Sequence, residues 1–125
     1  MSDTSPPFPP RVYKILSGPP ISPLPHTLPS TTLDAHDGFI HLSTAWRTPQ
    51  TASMYFSSDT ALWLLRIDVQ TAQAESAEFK WGDPGCVHLY NGRLGEGVVV
   101  SSKEVNRADG ETWEDVLGND EWLSD

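Results

Sequence analysis

The chain predicts an α+β domain: small, mostly antiparallel β-sheets of about six short strands, with one or two peripheral helices. Three observations carry this reading. Apolar runs are short, rich in β-branched and aromatic residues, and bounded by Gly, Pro, Asp and Ser, which is strand spacing rather than helix spacing. Helix-start signals stand only before short segments, at Thr48-Pro49 and at Thr112-Trp113-Glu114-Asp115. Nine of the eleven prolines fall before residue 30, where they forbid central strands and helix interiors.

In chain order, residues 1–10 read as a flexible Pro-rich arm, and 11–125 as a single α+β domain. Arg11 to Leu16 is the first strand. Ser17 to Pro29 is a long Pro-rich loop anchored by Ile21, Leu24 and Leu28, a lid or connector. Ser30 to His36 makes one helical turn, stopped by Asp37-Gly38. Phe39 to Ser43 is the second strand. Thr48 caps a helix over Pro49 to Phe56, whose buried stripe is Ala52, Tyr55 and Phe56. Ala61 to Val69, the most apolar run, is a central strand that is apolar on both faces near its start. A helical turn follows over Asp68 to Ala74, then a short strand Glu78 to Trp81, closed by the turn Gly82-Asp83-Pro84-Gly85. Val87 to Tyr90, a glycine-rich hairpin loop and a last strand over Gly97 to Val105 complete the sheet. From about residue 106 an acidic extension carries a short helix pinned by Trp113, Val116, Leu117, Trp122 and Leu123.

Charge narrows the function classes. The net charge of −9 is concentrated after Val105 or so: Glu104 to Asp125 holds eight acids against Arg107, whereas the body is nearly neutral. That distribution disfavours nucleic acid as a partner and fits a solubilising surface. No apolar run reaches the ~18 residues a bilayer span requires, so no membrane partner is expected. The N-terminal residues lack the pattern of a secretory signal, and the lone Cys86 offers no internal disulfide, so a cytoplasmic location is expected. Oligomeric state is not legible.

The chemistry is concentrated in two similar stretches, Phe39-Ile40-His41-Leu42-Ser43 and Cys86-Val87-His88-Leu89-Tyr90. Each places a histidine between two aliphatic residues, with a hydroxyl two positions later. Strand alternation sends Ile40, Leu42, Val87 and Leu89 to the core, and His41, Ser43, His88 and Tyr90 to the other face. If the strands are neighbours, two imidazoles able to give or take protons near neutral pH share one floor. His41, His88 and Tyr90 are the candidate catalytic residues, and Ser43, Thr32, Arg47 and Arg93 the candidate substrate-binding residues. A structural role for both histidines, satisfying carbonyls or sitting on a solvated face, is the competing reading. His26 and His36 read as surface residues. No His-x-His, HExxH or CxxC spacing is present, so no metal site is read. Cys86 shares parity with His88 but is more simply a small apolar residue. Asn91 to Gly97 has glycine enough to cradle a phosphate beside Arg93, yet opens no helix and so is no dinucleotide fingerprint. Ser43 lacks a nucleophile elbow.

Asp37-Gly38-Phe39-Ile40-His41-Leu42-Ser43, then Phe79-Lys80-Trp81, then His88-Leu89-Tyr90, in that order, resembles the domain-of-unknown-function family 952 over residues 11–105. The Pro-rich arm and acidic terminus lie outside that pattern, as a eukaryotic, fungal elaboration would. The resemblance implies a fold similar to the ADP-ribosyltransferase superfamily, with the histidine cleft corresponding to its groove for NAD or an ADP-ribose-like ligand. Members often carry a legacy glutathione S-transferase label, but this chain shows no thioredoxin-like βαβ pattern and no all-helical half. It departs from the family at Gly82, where an acidic residue usually follows the tryptophan, leaving Asp83 or Glu78 to substitute, and at Val87, where the family has proline.

Two classes of function follow. One is a small cofactor-independent enzyme that uses the histidine pair for acid–base chemistry on a small metabolite or nucleotide-like ligand, with ADP-ribosyl transfer as one version. The other is a non-catalytic module that binds a small molecule or a protein.

Overall fold

The computed structural model describes residues 6–125. Six strands form one antiparallel sheet: β1 (Arg11–Leu16), β2 (Ile40–Ser43), β3 (Ala61–Asp68), β4 (Glu78–Trp81), β5 (Cys86–Tyr90) and β6 (Val99–Asn106), in the spatial order β4-β5-β2-β1-β3-β6. Four short helices accompany it: α1 (Thr32–Asp37), α2 (Thr48–Tyr55), α3 (Val69–Ala74) and α4 (Trp113–Leu117). The fold is α+β, with one sheet and four helices where the sequence led us to expect several small sheets and one or two helices. The surplus helices are the single turns read at 30–36 and 68–74, each stabilised by a side-chain cap. Thr31 accepts from the Asp34 amide, and Asp68 from that of Thr71.

Alternation along β3 feeds a core on each side of the sheet. Leu62 and Leu64 pack with Ile15, Ala52, Val105, Trp113 and Leu117, beneath α2 and α4. Leu65 and Ile67 join Val12, Leu42, Val87, Leu89 and Phe79 on the opposite face. That side is covered by α3 and by Leu24 and Leu28 of the Pro-rich loop. The capping box at Thr112 and Asp115 opens α4, and Trp113 is fully packed, its indole N–H donating to the Phe56 carbonyl at 2.9 Å.

Two local expectations are corrected. Thr48 lies inside α2 rather than capping it, because its hydroxyl donates back to the Thr44 carbonyl at 2.8 Å and Arg47 takes the cap position. Tyr55 is not part of the buried stripe. It is 70% exposed, leaving Ala52 and the half-buried Phe56 on the core side. Of the arm expected over residues 1–10, residues 1–5 lie outside the described residues. Phe8 stacks on Trp81 with ring centroids 4.6 Å apart, and the Trp81 indole N–H donates to the Pro6 carbonyl at 2.8 Å.

The Pro-rich loop is fastened to the Asn91–Gly97 loop by two backbone bonds, Leu28 N–H to Leu94 O at 2.7 Å and Glu96 N–H to Pro25 O at 2.9 Å. Gly95 makes this approach possible, since a Cβ there would stand 2.1 Å from the His26 carbonyl oxygen and 2.6 Å from that of Pro25. Gly95→Ala is therefore expected to lower stability by ~1–3 kcal/mol by forcing the loops apart. Urea denaturation with amide exchange at Leu28 and Glu96 checks this, and unchanged midpoint and exchange would show that the loops are not held there.

Candidate active site

The register places His41 directly opposite His88 across the β2–β5 pair, with Ile40 opposite Leu89 and Leu42 opposite Val87. The two imidazole centroids are 5.9 Å apart with their planes at 62°. Phe39 lies against both, 4.0 Å from the His88 ring and 4.5 Å from that of His41, and restricts how either can turn. Both histidines line one cleft of about 1000 Å³, at the upper end of the range for small-molecule sites.

His41 sits at the end of a chain of charges. Lys14 Nζ donates to Asp34 Oδ2 at 2.7 Å, and Asp34 Oδ1 faces His41 Nδ1 at 2.7 Å. The His41 backbone N–H also donates to Asp34 Oδ1 (3.1 Å), and Lys14 Nζ to the His41 carbonyl (3.1 Å). His41 Nε2 faces a second carboxylate, Asp37 Oδ2, at 2.9 Å. Lys14 and Asp34 are each 5% exposed. Only an imidazole carrying protons on both nitrogens donates to both carboxylates.

Local sequence explains how this chain of groups is assembled. β1 pairs with β2 at a single register position, Tyr13 with Ser43. Lys14, Asp34 and His41 then join β1, α1 and β2 through side chains. Gly38, at φ +80°, ends α1 immediately after Asp37, so that two acids three residues apart both reach the ring at the start of β2.

Electrostatics separates the groups. Burial alone would raise the Asp34 carboxyl, but hydrogen bonds from Lys14 and His41 outweigh it and hold the group below its ordinary 3.8. At Lys14 burial prevails over the Asp34 bond and lowers the ammonium from 10.5. Asp37 is lowered chiefly by the bond from His36, with His41 adding. Among the described residues no carboxylate bonds the His88 ring: burial first, and then the neighbouring His41 charge, lower it from 6.5 against the opposing pull of Asp83 and Asp37.

The signs of these shifts set a stability profile. A depressed carboxylate contributes stability above its unfolded value, and loses it as pH falls through the folded value. A depressed histidine makes the unfolded chain the better proton acceptor, so acidification through 6.5 also costs stability. The urea midpoint is expected to decline gently as pH falls through 6.5 and steeply below 3.8. His88→Gln should remove the first slope and Asp34→Asn should blunt the second. A slope near 6.5 that His88→Gln leaves unchanged would contradict a neutral His88.

The remaining candidates are distributed unevenly. Thr32 and Ser43 line the cleft, though Ser43 is buried and its hydroxyl donates to Thr51 Oγ1 at 3.3 Å. Arg93 lines it too, but its guanidinium is engaged by Glu75 at 2.8 Å and by the His26 and Glu96 carbonyls. Tyr90 lies on the histidine face, 5.3 Å from the Phe39 ring and under Lys80, outside the cleft lining. Arg47 is also outside it, with a buried Nε that has no partner among the described residues. Asp83 lines the cleft, whereas Glu78 accepts from Asn91 away from it. Gly82 has a steric reason: a Cβ there would stand 2.6 Å from His88 Nε2, so a side chain at this position displaces the imidazole.

Sequence reasoning missed Lys14, Asp34, Asp37 and Phe39. One signal was available for Lys14. It is the only charge inside the run Val12 to Leu16, on the parity of Val12 and Leu16, and a lysine there needs a buried partner.

Fold and cleft together define a small α+β protein on one antiparallel sheet, with two histidines facing each other on its β2–β5 half. The chain matches the family described as "Protein of unknown function (DUF952)" over residues 25–102, and it belongs to that family. Asp34, Asp37, His41 and His88 lie within the matched stretch, and Lys14 precedes it. Among solved structures it is similar to protein CC0527 from Caulobacter crescentus, with a TM-score of 0.63 and 20% identity over 82% of this chain and 91% of that one. A double mutant of the same bacterial protein gives the same figures. At that identity the likeness shows the fold alone. No curated protein matches. No helix among the described residues is long and apolar enough to cross a membrane.

Proposed function

We propose that the protein is a small acid–base enzyme that works on a small metabolite without a bound cofactor. One observation carries the reading: two imidazoles face each other in one cleft in opposite electrostatic settings. His41, between Asp34 and Asp37, is the proton donor. His88, partly desolvated and beside that charge, stays neutral and accepts. Asp34 fixes the His41 ring through Nδ1, and Lys14 fixes Asp34. Asp37 is more exposed and is shared with His36 at 2.9 Å, so an incoming ligand oxygen can replace it at Nε2. In an elimination His88 takes a proton from carbon, His41 protonates the oxygen whose bond to the neighbouring carbon breaks, and exchange with water returns both rings to their starting states. In an isomerisation the same pair forms an enol, and His88 returns its proton at the adjacent carbon while His41 recovers its own.

Incubation with a metabolite mixture in D₂O tests this, because proton exchange labels even a product of unchanged mass. Wild type is expected to label or consume at least one compound, while His41→Ala and His88→Ala, shown folded by circular dichroism, do not. Ligands that bind without labelling or turnover would make the protein a binding module instead.

A further inference from the structure

The charges around the cleft restrict what can enter it. Three carboxylates line it, Asp34, Asp37 and Asp83. Two permanent cations line it as well, and neither is free: Lys14 is buried against Asp34, and Arg93 is held by Glu75 and two carbonyls. His41 is already bracketed by two of the acids. A phosphate or carboxylate entering here gains no unengaged permanent cation and meets like charge at Asp83, whose side chain forms no ion pair among the described residues. Phosphate recognition normally relies on Arg forks, Lys, or backbone amides at a helix N-terminus.

The mouth has the opposite character. Ile21 and Leu33 are 53% and 55% exposed, and with Tyr55 they are large apolar side chains left in water, all three lining this one cleft. Ile21 comes from the Pro-rich loop, Leu33 from α1 and Tyr55 from α2, so the rim draws on three separate segments. Exposed apolar side chains converging from separate elements on one concavity mark a surface that an apolar body covers.

We infer that the cleft selects small molecules carrying no negative charge, with an apolar or aromatic body against Ile21, Leu33 and Tyr55 and a hydroxyl or amine at the histidine pair. The inference rests on the reading above only in taking the histidine cleft as the working site. It assigns the ligand class and sets the site apart from a pyrophosphate groove.

A charge series on one body tests it: benzylamine, benzyl alcohol, benzoate and phenyl phosphate, each titrated into the ¹⁵N-labelled full chain at constant ionic strength. Benzylamine and benzyl alcohol are expected to shift amides around Leu33, Tyr55 and His88, with dissociation constants at least ~10-fold below those of the two anions, the size of one like-charge contact in a partly exposed site. Tyr55→Ala, a change at an exposed position, should weaken the benzyl ligands, and Asp83→Asn should narrow the gap to phenyl phosphate. Anions binding as tightly as the alcohol, shifts confined to another surface, or no binding by any of the four would overturn the inference. The two readings fail separately. The charge order with no proton exchange on any metabolite sinks the enzyme but leaves the ligand class, whereas turnover of a phosphorylated metabolite does the reverse.

Discussion

Asp34→Ala is expected to destabilise the protein by about 3–5 kcal/mol at pH 7, the range for breaking a buried ion pair by removing one partner. Asp34 holds Lys14, the ring of His41 and the backbone N–H of His41 in one hydrogen-bonded set. Without it a buried ammonium keeps, among the described residues, only the His41 carbonyl, and a backbone donor in the β2 strand loses its acceptor. The double variant Lys14→Met/Asp34→Leu removes both charges and should recover most of the loss, because hydrophobic replacement of a buried pair is often neutral. Urea midpoints of the single and double variants give the answer. A loss under ~1 kcal/mol for Asp34→Ala would mean that water reaches the pair and that surface-bridge energetics apply.

His88→Ala is expected to keep the fold and to lower turnover by ~10²–10⁴-fold, the usual contribution of a positioned general base. Its ring is half-buried, and its closest aromatic neighbour is Phe39, so truncation opens a shallow space rather than a core cavity. Gly82→Ala offers an independent check, since its Cβ would strike His88 Nε2 and push the ring aside while leaving it chemically intact. Turnover should fall in Gly82→Ala with the ring still titrating by NMR. Turnover that survives both changes would remove His88 from the chemistry.

Much of the sheet was legible because side-chain parity is a local property. Arg11–Leu16 and Glu78–Trp81 were read to the residue, and the other strands to within two. The same parity placed His41 and His88 on one face, and the antiparallel register then set them opposite each other. The charge chain was not legible, because its members come from β1, α1 and β2 and meet only through tertiary packing. Arg93 shows the same limit. Its position beside glycines made it a candidate substrate-binding residue, yet its nitrogens are drawn to carbonyls and a carboxylate that only the folded loops bring near. Tyr55 was misassigned because helical periodicity marks a stripe but does not reveal that the cleft opens beside the last turn of α2.

The thin seam between β1 and β2, one register pair wide, has an evolutionary consequence. The sheet is effectively two three-stranded halves, and the side chains that rivet them together also orient the proposed proton donor. Substitutions here act on durability and on chemistry at once, so drift at Lys14 or Asp34 cannot adjust one trait while sparing the other. Selection for a sturdier scaffold and selection for a new reaction would compete for the same few atoms, whereas changes at the apolar rim of Ile21, Leu33 and Tyr55 would alter which ligand body fits without touching them.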